Sequence, residues 1–138
     1  MSPVALRMGH LGLLPFVVGA ALVWLVHAPL RPPVAQGLAV YAALVVALLG
    51  GVHWGIGFAE PSPPVSLFTW GSVPGLLAWL AAMMPPESGL VLAGVLLVAG
   101  YLVDRRVYPR HGLSAWLTLR FRLSAVAALC CFLGAAGA

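Results

Sequence analysis

The sequence predicts an all-α, polytopic integral membrane protein: a bundle of five transmembrane helices. Apolar runs long enough to cross a bilayer recur five times, separated by short joints bearing Pro, Gly or Arg. The composition agrees, with 62% hydrophobic residues, 7% charged residues and a mean hydropathy of +1.06. A soluble chain needs roughly a quarter of its residues charged to cover its surface. Helices are required because lipid leaves every backbone N–H and C=O to be satisfied within the segment.

A hydrocarbon core about 30 Å thick takes roughly 20 helical residues. The first span is predicted over residues 11–26, ended by Pro29, Pro32 and Pro33. Arg7 before it and Val26-His27-Ala28 after it loosely resemble a signal peptide, but Pro29 would follow the cut, so an uncleaved span is expected. The second covers 36–59 and stops at Glu60 and the prolines that follow. The third covers 66–84, before Pro85 and Pro86, and the fourth covers 88–103, before Asp104, Arg105 and Arg106. The fifth covers 115–134. Residues 1–138 are read as one membrane domain whose short joints make consecutive spans antiparallel neighbours.

The net charge of +4 comes from seven arginines and no lysine, too few and too scattered for a nucleic-acid surface. It serves better as a topology signal. Arg7, Arg105, Arg106 and Arg110 fall on one side of a five-span chain, and Arg31 falls on the other. The positive-inside rule then places the N-terminus in the cytoplasm and the C-terminus outside. The apolar stretch 123–138 reaches only about 24 Å at helical rise, so the fifth span must draw in Arg120 and Arg122. These lie about 160° apart on a wheel at about 100° per residue. Trp116, Arg120 and Ser124 share a stripe, which assigns Arg120 inward and Arg122 outward. Cys130 and Cys131 are sequence neighbours, unsuited to an ordinary disulfide, and read as small apolar filler.

Chemistry concentrates at one depth. His53 lies in Leu49-Gly-Gly-Val-His-Trp-Gly-Ile-Gly57, about 9 Å inside the second span. An ionisable group there usually faces the bundle interior and marks a site, although a histidine that only packs is an ordinary alternative. Ser66, Trp70 and a mid-helix Pro74 mark the third span, and the Gly71/Gly75 spacing repeats Gly51/Gly55, suggesting close packing of spans two and three. Asp104 is expected to cap the cytoplasmic end of span four, with Arg105 or Arg120 as counter-charge. With Pro15 and His10 these groups share one leaflet. The candidate polar pocket is therefore His53, Trp54, Trp70, Ser66, Asp104 and Arg120.

Gly12-Leu-Leu-Pro15-Phe16, Tyr41, Gly50-Gly-Val-His-Trp-Gly55, Trp70-Gly-Ser-Val-Pro74, Leu77, Trp79, Asp104-Arg105, Pro109 and the stretch from Trp116 through Leu123 resemble the domain of unknown function 3429 family. Its eukaryotic relatives are of the transmembrane protein 69 type. The resemblance covers nearly the whole chain, and Ser124, where threonine is more usual, is a small departure. It implies a small multi-span protein of the bacterial inner membrane, and no biochemical activity.

Three function classes follow. The leading one is a non-enzymatic accessory or assembly factor, or a binder of a lipid or quinone headgroup, in which Arg120 pairs an anionic group between Trp54 and Trp70. The alternative is a small-solute or proton-linked transporter or channel, which requires self-association because five spans without an internal repeat make a poor alternating-access unit. An enzyme is disfavoured: Glu60, Glu87 and Asp104 are the three carboxylates, and Glu60 and Glu87 fall in opposite joints. The cofactor stays unknown; His10 and His53 as axial haem ligands are a remote option. Expected partners are membrane lipids, a larger membrane complex or further copies of the chain, and no nucleic acid.

Overall fold

A computed structural model describes residues 2–138, which form helices joined by short turns. Five segments are long and apolar enough to span a membrane: Pro3–Leu25, Ala28–Ala59, Val65–Met83, Pro86–Arg110 and Ser114–Gly137. The first consists of α1 (Pro3–Leu11) and α2 (Leu14–Leu25), so the helix starts earlier than hydropathy alone indicated and breaks at residues 12–13. Pro15 has no N–H for the Leu11 carbonyl. The Gly12 carbonyl freed beside it accepts from the Tyr41 hydroxyl at 2.6 Å.

The next helix, α3 (Arg31–Ala59), opens on Pro32 and Pro33. The sequence assigned these prolines to stopping the first span; they start the second instead. In a first helical turn a missing N–H costs nothing, and the fixed φ is already helical. α4 (Val65–Met83) carries Pro74 internally, and Gln36 ties α3 to its last turn through a 3.0 Å bond from Nε2 to the Ala82 carbonyl. α5 (Pro86–Arg110) corrects a further expectation. It runs through Asp104 to Arg110, so Asp104 is an interior helical residue and not a cap. A 3-10 turn, Ser114–Trp116, then leads into α6 (Leu117–Gly137).

The core draws on Phe16 and Val23 of α2, Leu38 and Val46 of α3, Leu90 and Leu97 of α5, and Cys131 of α6. Between these sit alanines 35, 39, 42, 43, 78, 93, 127 and 128. Small residues suit this setting, because helices in lipid associate through close van der Waals approach and not through expulsion of water. Cys130 and Cys131 are buried free thiols, used as packing volume. α3 and α4 do pack tightly, through Gly71 as the sequence suggested, but on α3 through Gly50 and Gly57 in place of Gly51 and Gly55. A Cβ on Gly50 would sit 2.9 Å from the Gly71 carbonyl oxygen, and one on Gly57 would sit 2.7 Å from the Phe68 ring. Gly51, Gly55 and Gly75 have nothing within 4 Å of an added Cβ. A small-xxx-small spacing repeats on every face of a helix, so the spacing alone does not tell which face is in contact.

Candidate functional site

Three ionisable side chains meet where the C-terminal part of α3, the C-terminal part of α5 and the first turn of α6 converge. Each reaches that point for a local reason. His53 lies on the buried face of α3 with Gly50 and Gly57, which let α4 approach. Asp104 lies one turn after Gly100 on α5. Arg120 extends across from α6, with its Nη2 3.1 Å from where a Gly100 Cβ would be. Gly100 thus leaves space for a guanidinium.

His53, Asp104 and Arg120 are 3%, 2% and 4% exposed, values that put all three side chains out of reach of bulk solvent. Asp104 uses both oxygens. Its Oδ1 accepts from His53 Nε2 at 2.5 Å, and its Oδ2 accepts from Arg120 Nε at 2.8 Å. Arg120 Nη1 donates further to the Ser124 hydroxyl one turn along α6. The Asp104–Arg120 pair is thereby internally neutral, which is what makes an ion pair tolerable at this depth. Since the carboxylate takes the hydrogen on His53 Nε2, a neutral imidazole carries its lone pair on Nδ1. That atom is buried and has no hydrogen-bond partner among the described residues. Buried polar atoms are nearly always paired, so an orphan nitrogen requires explanation.

The triad forms one end of a cavity of about 120 Å³. α3 supplies Val46, Leu49 and Gly50, α4 supplies Trp70, Val73, Pro74 and Leu77, and α5 supplies Leu96, Leu97, Ala99, Gly100 and Val103. The walls are otherwise apolar. Trp70 and Ala99 line the cavity yet remain exposed, which places its mouth between α4 and α5. A molecule entering there leaves the hydrocarbon region sideways and meets a polar end group.

The structure brings together His53, Asp104 and Arg120, and Trp70 stands at the cavity mouth. Trp54 and Ser66 do not join them. Trp54 is 40% exposed, donates from Nε1 to the Ser72 hydroxyl at 3.1 Å, and stacks edge-on against Phe68 with centroids 5.0 Å apart. It clamps α3 to α4 over Gly71. Ser66 lines a separate groove with Arg105, Arg106 and Arg110. Arg105 is exposed and leaves Asp104 to Arg120. Arg122 is exposed as well, whereas Arg120 is inside. His10 is exposed too, with Nδ1 bonded to the Leu6 carbonyl at 2.7 Å on its own helix, and it forms no pair with His53. Arg120 also does not stand ready for an anion, because Asp104 already balances it.

Gly100 and Ser124 were not singled out as site residues. Gly100 was detectable as the residue four before Asp104 on one helical face. Ser124 bears the same relation to Arg120.

The family described as "Protein of unknown function (DUF3429)" matches residues 1–136. Among curated proteins, Transmembrane protein 69 of Xenopus tropicalis is 38% identical over 99 residues, covering 70% of this chain. The chain spans about 38% of that relative's length. No solved structure matches it.

Proposed function

The chain belongs to the DUF3429 family of membrane proteins of unknown function, and from that premise we propose that it binds the uncharged polar head of a membrane-soluble ligand, such as a quinone or a lipid, as a non-enzymatic accessory protein. One observation carries the reading. His53, bonded through Nε2 to a carboxylate and with a buried Nδ1 that has no partner among the described residues, lines an apolar cavity that opens sideways between two helices.

The electrostatics choose the kind of head. Asp104 and Arg120 cancel, so the cavity has no net charge to offer an anion. His53 Nδ1 accepts a hydrogen bond, which favours a hydroxyl or N–H donor. Arg120 Nη2, next to Gly100, has a donor to spare for a carbonyl or ether oxygen beside it. Apolar walls with a few convergent polar groups are the usual design of a small-molecule site. A cavity of about 120 Å³ takes a head, with the tail remaining in lipid at the mouth.

In the same proposal the protein sits in a bacterial inner membrane with Arg105, Arg106 and Arg110 on the cytoplasmic face. The positive-inside tendency supports that orientation. The triad then belongs to the cytoplasmic leaflet, about 9 Å from the ends of α3 and α5.

Native mass spectrometry of wild type and His53→Ala, released from nanodiscs made of the host's own lipids, tests the reading. A species retained by wild type and lost from the variant supports it and identifies the head. Both proteins emerging equally empty, with the variant still folded, would sink it.

A further inference from the structure

We propose that the groove between the first turns of α4 and the last two turns of α5 binds the phosphate-bearing headgroup of an anionic phospholipid. This site is separate from the uncharged cavity, although Trp70 borders both. The groove encloses about 920 Å³ and is lined by Ser66, Trp70, Leu102, Arg105, Arg106 and Arg110 among others.

Charge accounting leads to the anion. The chain has three acidic side chains, and among the described residues none forms an ion pair with these arginines. Asp104 is turned inward onto His53 and Arg120. Glu60 accepts from His111 Nδ1 at 2.8 Å. Glu87 lies in the first turn of α5, about 27 Å along the helix from Arg105 at about 1.5 Å per residue. Among the described residues none of these three guanidinium groups forms an ion pair with a carboxylate, so they repel one another in one concave place. A phosphate relieves that repulsion, and planar guanidinium forks match its oxygens.

The lipid, as opposed to a free ion, is indicated by what continues from the groove. Leu102, Val98 and Val95 rise from Arg105 and Arg106 along one side of α5 and are 53%, 43% and 50% exposed. That strip provides an apolar track for an acyl chain, starting at the headgroup site. A topology signal needs charge alone. It does not need three arginines facing a hydroxyl and an indole across a groove, with an aliphatic track behind them.

The test uses the full chain in detergent, titrated with phosphatidylglycerol or phosphatidylcholine of equal chain length and read by native mass spectrometry. Wild type is expected to retain phosphatidylglycerol preferentially. Arg105→Gln/Arg106→Gln/Arg110→Gln should lower that binding about 100-fold, on the order of five-fold per arginine. Arg122→Gln removes an exposed charge outside the groove and should change it less than two-fold. Equal retention of both lipids, equal loss in the Arg122 variant, or displacement of the lipid by millimolar inorganic phosphate would each overturn the proposal, the last by revealing a free-anion site. Should the triple variant not fold, each single Arg→Gln is read instead for its five-fold step, and three flat singles overturn it equally. Species retained through His53 are scored separately, so neither reading stands or falls with the other.

Discussion

Removing Asp104 and Arg120 one at a time and together should give strongly non-additive losses of stability. Asp104→Leu leaves a guanidinium that is 4% exposed with no counter-charge, and Arg120→Met leaves a carboxylate that is 2% exposed. Two unit charges about 4 Å apart interact by about 4 kcal/mol at an effective dielectric near 20. Stranding one partner of a buried pair costs about 3–5 kcal/mol. Each single variant should therefore shift the unfolding equilibrium by roughly 100- to 4,000-fold. The double variant keeps no stranded charge. Its remaining cost is the unpaired His53 Nε2, about 1–3 kcal/mol for a buried donor left unmade. It should thus be more stable than either single. Reversible unfolding in mixed micelles, followed by the fluorescence of the five tryptophans, reads all four species. Ordinary interhelical hydrogen bonds in membranes couple by only about 0.6 kcal/mol on average. A coupling no larger than that, with the double variant at the sum of the singles, would refute the claim that these charges share one low-dielectric site.

Gly100→Val should cost about 1–3 kcal/mol by forcing the guanidinium from its place. The penalty should shrink in an Arg120→Met background, and thermal melts of the two pairs check this. Gly71→Ala should destabilise by a similar amount, because its Cβ would overlap Trp54 and the Gly50 carbonyl, while Gly51→Ala should be neutral or stabilise by up to about 1 kcal/mol. Parallel melts in one detergent separate the two, and equal effects would return the contact to the Gly51 face. Tyr41→Phe should cost about 0.5–1.5 kcal/mol through the lost bond to Gly12, seen as faster hydrogen exchange of amides next to the break in the first span.

The five helices were legible in the sequence because lipid imposes a length and a polarity that few other constraints can mask. The inward placement of Arg120 was legible too, since a span too short without it must take it in, and the stripe with Ser124 gives the direction. Asp104 was misread because a charge at the end of an apolar run normally marks the water boundary. What overrides that rule is Arg120 on another helix, one of the two counter-charges the sequence offered, and only the packing of α5 against α6 decides between it and Arg105. Pro32 and Pro33 were misread for a related reason. A proline pair ends one helix or begins the next, and only the position of the turn, Ala28–Leu30, decides which. The separation of Ser66 from His53 was likewise invisible. Equal depth in the bilayer does not give equal azimuth around the bundle.

The bridging role of Asp104 also imposes an order on biosynthesis. α3 delivers His53 first, and α5 delivers Asp104 later, an acid whose cost in a lone inserting helix rises to about 2.5–3.5 kcal/mol at the helix centre and is smaller toward its end, where Asp104 lies. Its neutralising partner is on the very next helix, α6. Insertion of α5 and α6 as a hairpin cancels that cost before lipid has to meet the carboxylate. Until α6 leaves the ribosome the nascent chain holds an uncompensated acid within its fourth span, the sort of defect that membrane quality control can detect. Arg120 thereby couples the insertion of α6 to that of α5, and the later helix is what lets the earlier one settle.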